Sequence, residues 1–345
     1  EGSESAEKAA EYNLLSQKYL IHKGGKMLKK FEIVTSLSLL LLLCSIATSG
    51  FGQTENQYLG PIIDMHLHAY TNEDFFGPAP NPTTGEMSTD NATEHRRQTV
   101  EILKNNNIVL SMVDGESPEA VDAWEQILGD GVIRGLRFEN PEDLDLNLFS
   151  EWVEEGKIDV FGEVGATYAG FSSADSILDP FLEISEEFDI AVGIHTGGSR
   201  PGAHILNPDF RLRYGDPFLV EDVLVTHPNL RVYLMHSGSH FYERTAMLMV
   251  QYPNLYSDIA ILNWYTNAEV FLVPFLKLAK DYNVLDRVMF GTDQMVWPEA
   301  IEMAIDKVQS LDFLTLEEKE GIFYMNAARF LNLSEETIAK HHDQE

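Results

Sequence analysis

The chain has 345 residues, 44% of them hydrophobic and 10% aromatic, which is enough for a large core and too apolar for a disordered acidic chain. Twenty-four basic residues against 55 acidic ones leave a formal charge of −31, which repels phosphate backbones and argues against nucleic acid and anionic membranes as partners. The single cysteine, Cys44, excludes an intrachain disulfide and a cysteine-based zinc site, so any metal must rest on His, Asp and Glu.

Residues 27–52 read as a secretory signal peptide. Met27 is followed by Lys29 and Lys30, an apolar stretch runs from Ile33 to Ile46, and small residues follow in Ala47-Thr48-Ser49-Gly50. On this reading Met27 is the start and residues 1–26 are upstream sequence outside the fold. Cleavage near Gly52 then leaves a mature chain, 53–345, exported to the periplasm or beyond, with no stable membrane span. The alternative is an N-terminal membrane anchor that stays attached, with a lipid on Cys44 as a variant. The apolar run is shorter than the roughly 20 residues that a span needs.

From Gly60 onward, short apolar runs alternate with amphipathic stretches. The spacing predicts strands at Ile62–Leu67, Ile108–Val113, Val132–Phe138, Val160–Val164, Ile190–Ile194, Arg231–Met235, Asn254–Asp258 and Arg287–Phe290. Helices are predicted at Glu94–Asn105, Pro118–Leu128, Ala174–Phe188, Pro217–Thr226, Phe241–Gln251, Ala268–Tyr282 and Glu299–Ser310. Eight strands separated by helices predict an α/β fold, a (β/α)8 TIM-type barrel. An open doubly wound sheet is the alternative, but no glycine-rich phosphate loop follows the first strand. The loop Asn72–Asp90 is a candidate lid or pocket wall. Two further helical stretches, 316–330 and 334–342, are expected to pack outside the barrel.

Ionisable residues collect at the strand ends. Strand one ends in Asp64-Met65-His66-Leu67-His68, and alternation puts His66 and His68 on one face. Strand four ends in Gly162-Glu163-Val164-Gly165, strand five in Ile194-His195-Thr196-Gly197, strand six in Met235-His236-Ser237-Gly238, and strand eight in Phe290-Gly291-Thr292-Asp293. Barrel enzymes place their chemistry at this C-terminal rim. Four imidazoles and two carboxylates from five strands suit Zn²⁺, Mn²⁺, Fe²⁺ or Ni²⁺ rather than the hard cations. A single strand-end histidine such as His195 is more often a hydrogen-bonded core residue, and a lone His-x-His reads either way; the set of five strand ends points to a metal.

The ordered set His66, His68, Glu163, His195, His236 and Asp293 resembles the amidohydrolase superfamily. Ile63-Asp64-Met65-His66-Leu67-His68, Gly135-Leu136-Arg137-Phe138 and Phe290-Gly291-Thr292-Asp293 are similar to its amidohydrolase-related branch, over roughly residues 60–333. The resemblance implies a distorted (β/α)8 barrel with extra C-terminal helices and one or two divalent metals. It makes His66, His68, His195 and Asp293 ligands and His236 either a second-metal ligand or a catalytic residue. Where many members carry a carboxylated lysine on strand four, this chain has Glu163, similar to the bridging glutamate of TatD-type enzymes. Two metals are expected if Glu163 faces the barrel mouth, and one if it pairs with Arg137.

The implied chemistry is metal-activated water attacking a C–N or C–O bond of a small amide, lactone or ester. Asp293 is the expected general base and then acid, and His236 the expected oxyanion partner. Arg200, in the loop past strand five, either clamps a substrate carboxylate or pairs with local acids. His240 either faces the pocket or begins a helix. Tyr168 and Trp297 are candidate pocket walls. His227 sits before strand six, at the opposite end, and carries no expected chemistry; nor do His22, His95, His341 and His342. The alternatives are a decarboxylase of the same family, a TatD-like phosphodiesterase, which the charge disfavours, and an exported binding protein on a retained barrel. A homo-oligomer is compatible with all of these.

Overall fold

The computed structural model describes residues 56–265 and 268–343. The expected signal segment 27–52, and residues 1–26, lie outside the described residues. Among the described residues no helix is long and apolar enough to cross a membrane.

Eight parallel strands follow one another in sequence order around the sheet. They are β1 Ile62–His68, β2 Ile108–Gly115, β3 Val132–Phe138, β4 Val160–Val164, β5 Ala191–His195, β6 Val232–Met235, β7 Leu255–Asp258 and β8 Val288–Met289. Two backbone bonds bring the last segment back onto the first: Met65 N donates to Phe290 O at 3.0 Å, and Asp293 N to His66 O at 2.8 Å. The architecture is therefore a TIM-type barrel, as the alternation of strands and helices predicts. β8 is only two residues long because the Phe290 amide turns away and donates to Ile322 O, in the C-terminal helical segment. That segment, Leu316–Phe330, packs against the β8 region, with Phe323 on Phe290 at 5.1 Å between ring centroids.

The principal outer helices are α1 Ala92–Asn105, α2 Pro118–Leu128, α3 Leu146–Glu154, α4 Asp179–Glu187, α5 Glu221–Thr226, α6 Tyr242–Gln251, α7 Leu272–Asp281, α8 Ala300–Gln309 and α9 Glu335–His342. Their starts follow local chemistry. Asn91 caps α1 by accepting from Glu94 N, and Pro118 opens α2 where its missing N–H costs nothing. The helix expected from Ala174 begins only at Asp179, because Pro180 tolerates the first turn of a helix but not its interior. Pro217 likewise leaves a 3₁₀ turn at Pro217–Val220 before α5. The hydrophobic pattern left α3 unassigned; its buried face is only Phe149 and Val153.

Inside the barrel, Tyr233 reaches across to donate to Met65 O at 3.3 Å. Position 193 must be glycine beside it, since a Cβ there would stand 2.6 Å from the Tyr233 ring. Outside β3 and β4, Phe138, Phe149, Phe161 and Phe181 form a ring cluster with centroids 4.9–6.1 Å apart.

Candidate metal centre

A one-residue slip in β4 aims Glu163. From Phe161 to Val164 the strand advances three residues while β3 advances from Leu136 to Phe138 and β5 from Val192 to Ile194. That is a β-bulge, which exchanges the two faces of a strand. Phe161 packs outward on α3 and α4, and strict alternation would send Glu163 the same way. The extra residue turns Glu163 inward instead.

There its carboxylate lies among four imidazoles. Glu163 Oε1 is 2.5 Å from His195 Nδ1 and 3.1 Å from His236 Nε2. Oε2 is 3.8 Å from both His66 Nε2 and His68 Nε2. Arg137 is not its partner: that guanidinium lies 3.6 Å from Asp114 and 3.5 Å from Glu116, over the Tyr70 ring. Asp293 completes the group, with Oδ1 2.9 Å from His68 Nε2 and Oδ2 3.9 Å from His236 Nδ1.

The strand-one histidines are gripped from behind. His68 Nδ1 lies 2.6 Å from Asp114 Oδ1, at the end of β2, and His66 Nδ1 lies 3.2 Å from Asp258 Oδ2, at the end of β7. A carboxylate on Nδ1 fixes that nitrogen as the donor and leaves the Nε2 lone pair free to ligate. Asp258 also accepts from His236 N at 2.7 Å, and Asp114 from Glu163 N at 3.0 Å. Beneath them, Asp64 accepts from Thr292 Oγ1 and from His66 N, and burial pushes its carboxyl up to about 7.

These residues fit a divalent cation. His66 Nε2, His195 Nε2 and Asp293 Oδ1 are buried without a hydrogen-bond partner. For Asp293 Oδ1, the 2.9 Å approach of His68 is an ion contact out of hydrogen-bond alignment. An unsatisfied buried polar atom costs about 1–3 kcal/mol, which a bound cation relieves at each atom that ligates it. Three overlapping groups, His66/His236/Asp293, His66/His68/Glu163 and Glu163/His195/His236, each hold their ligand atoms within 4.8 Å of one another. Ligands on one cation at about 2.0–2.2 Å can stand up to about 4.2 Å apart.

Opposite charges stabilise one another in the centre. Burial pushes the His66 imidazole down, but Asp293, Asp258 and Glu163 outweigh it and hold it well above the usual histidine range. Against the same opposing burial, Asp114 and Asp293 bring His68 to about 9. Burial raises the two central carboxyls, yet His195 and its neighbours hold Glu163 well below its ordinary value, and His66 and His68 hold Asp293 below its own. His236 (φ 63°) and Asp293 (φ 49°) both take left-handed backbone, a strain of about 1–3 kcal/mol each that clusters at functional sites.

The rim residues separate by environment. Tyr168 is half-buried with its ring 5.0 Å from that of His195. Trp297 donates to Ala79 O at 2.9 Å and meets Phe76, so it props the loop after β1 rather than facing the imidazoles. Asn81 to Glu299 and Thr83 to Trp264 O pin the same loop. Arg200 is exposed with no carboxylate partner among the described residues. His240 is exposed beside Phe271, and the helix after it starts at Tyr242. His227 lies before β6, at the far end, 3.5 Å from Glu186. His95 is buried against Gln294, with burial pushing its imidazole down to about 4.

The chain matches the amidohydrolase family over residues 63–333. It belongs to that family. No curated protein matches it. Among solved structures, it is similar to an uncharacterised TIM-barrel protein from Bordetella bronchiseptica, at 19% identity and TM-score 0.58, covering 79% of this chain and 98% of that one. It is similar to 5-carboxyvanillate decarboxylase from Novosphingobium aromaticivorans, determined with manganese and 4-hydroxy-3-methoxy-5-nitrobenzoic acid, at 13% identity and TM-score 0.53, covering 81% and 99%. It is also similar to a probable 2-pyrone-4,6-dicarboxylic acid hydrolase from Acinetobacter baumannii with citric acid, at 13% identity and TM-score 0.52, covering 79% and 99%. At these identities the likeness is one of fold. The family match makes this chain an enzyme of the amidohydrolase superfamily.

Sequence reasoning missed three carboxylates of this amidohydrolase: Asp64, Asp114 and Asp258. Each is fully buried on a strand of the barrel. The available signal was an aspartate closing a buried strand, in Val113-Asp114 and Ser257-Asp258.

Proposed function

We propose that this amidohydrolase is an exported metal-dependent hydrolase that cleaves a C–N or C–O bond in a small amide, lactone or ester. The observation that carries the reading is the inward Glu163 carboxylate, set among four imidazoles whose strand-one pair is held at Nδ1 by Asp258 and Asp114. His66, His68, Glu163, His195 and Asp293 would hold the cation, with His236 and a bridging Glu163 completing a second position. Zn²⁺ suits this imidazole–carboxylate set best, with Mn²⁺, Fe²⁺ or Ni²⁺ compatible. When bound, the cation supplies Lewis acidity and brings water to a pKa near 7. Asp293, ionised and facing the centre, takes the water proton and returns it to the leaving group. With a single cation bound, His236 would instead hold the charge that develops on the attacked carbonyl oxygen. Tyr168 bounds the pocket, Trp297 supports it indirectly through the loop after β1, and Arg200 and His240 would meet substrate polar groups at its rim.

His66→Ala and Asp293→Asn are expected to abolish turnover while circular dichroism and gel filtration stay those of the parent. Turnover unaffected by a strong chelator would contradict the reading. Decarboxylation is the second reading, favoured by one observation: Arg137 Nε, buried at the end of β3 and 3.6 Å from Asp114, makes no hydrogen bond and could donate one to a substrate carboxylate. Carbon dioxide release measured against hydrolysis product separates the two. Export rests on the 27–52 pattern, and N-terminal sequencing of protein recovered outside the cytoplasm tests it.

A further inference from the structure

The loop after His195 leaves the barrel and returns through a narrow neck. Gly197 N donates to Gly215 O at 2.6 Å, and a Cβ on Gly215 would collide with the Gly197 carbonyl. One flank of the loop leans on the turn after β4. Phe210 packs on Tyr168 at 5.6 Å, Thr167 Oγ1 donates to Arg211 O at 3.2 Å, and Tyr168 in turn lies on His195. The loop is therefore a wall of the proposed centre.

Its charge is opposite to that of the molecule. Between Gly197 and Gly215 stand Arg200, Arg211 and Arg213 against one acid, Asp209, in a chain whose formal charge is −31. All three arginines are exposed, and none pairs with a carboxylate among the described residues. Arg211 donates to the carbonyls of Pro208 and Phe210, and Arg213 donates to the Tyr214 hydroxyl and stacks on its ring. By contrast Arg97, Arg134 and Arg231 each find an acid. Asp216, just past the neck, is taken by Arg244. Unpaired cations held at the mouth of an acidic molecule make a local positive potential where substrate must enter.

We propose that residues 197–215 form an anion-gathering wall, and that the substrate is accordingly a small organic carboxylate. This rests on the reading of the centre given above. The entering anion passes the Arg200–Arg213 face toward the pocket.

Calorimetric titration of the metal-loaded full chain with isophthalate, a dianion, and isophthalamide, its neutral counterpart of the same shape, tests the proposal. The parent is expected to bind isophthalate about tenfold or more tightly at low salt, with the preference shrinking at ~0.15 M ionic strength. The triple variant Arg200→Gln, Arg211→Gln, Arg213→Gln should lose most of that preference, and the matching triple lysine variant should keep it. An unchanged preference in the glutamine variant, or no preference or no binding in the parent, overturns the proposal. Metal content measured on the same samples separates the two claims: its absence from the parent would remove the centre, whereas its retention with an unaltered anion preference would remove only the loop's role.

Discussion

His66 and His68 owe their orientation to Asp258 and Asp114, carboxylates contributed by two other strands. Their removal should therefore act through the imidazoles. Asp258→Asn or Asp114→Asn is expected to lower metal affinity about 10–100-fold without unfolding the barrel, read by competition against a chromogenic chelator. The ligands themselves were legible as polar residues at strand ends. Asp114 and Asp258 were not, because an aspartate closing a buried strand does not by itself say which side chain it will hold. Their meaning comes from β1, a neighbour of each only once the barrel closes. The charged imidazoles also set a pH dependence. His68 is raised from 6.5 to about 9, so its contribution to stability of the metal-free protein is full below 6.5 and lost as pH rises through about 9. Glu163 and Asp293 are depressed, so their share is present above the ordinary carboxylate range and lost as pH falls toward their folded values. Chelated protein should accordingly lose thermal stability between neutral pH and about 9, while metal affinity rises over the same interval as protons leave the imidazoles. A melting temperature for chelated protein that is flat across this interval would contradict the ion-pair arrangement.

At the scale of elements, strand four shows why sequence reading reached the fold more fully than the site. All eight strands follow from apolar runs, since buried parallel strands are apolar on both faces. The inward turn of Glu163 does not follow, because it depends on a bulge that reverses the alternation from which facing is inferred. Helix bounds departed from expectation where proline intervened, at Pro180 and Pro217, and α3 escaped because its buried stripe is two residues wide. The bulge leaves Phe161 outside, wedged between Phe138, Phe149 and Phe181. Phe161→Ala should cost about 3–5 kcal/mol in denaturant unfolding, by lost burial and the cavity left behind. Gly193→Ala should also destabilise, through its collision with Tyr233, although it adds only a methyl group.

On the scale of the whole molecule, the barrel gathers side chains spread from His66 to Asp293 into one buried centre, while the surface carries a large acidic excess. Composition alone gave that excess but not its uneven distribution; the cationic loop 197–215 has its meaning only because the fold sets it beside Tyr168 and His195. Elemental analysis of the purified protein, with His66→Ala and Glu163→Gln beside it, tests the central claim most directly. The account predicts at least one firmly held divalent cation per parent chain, a second if Glu163 bridges, and loss of metal in both variants. A folded, active parent with no stoichiometric metal would contradict it.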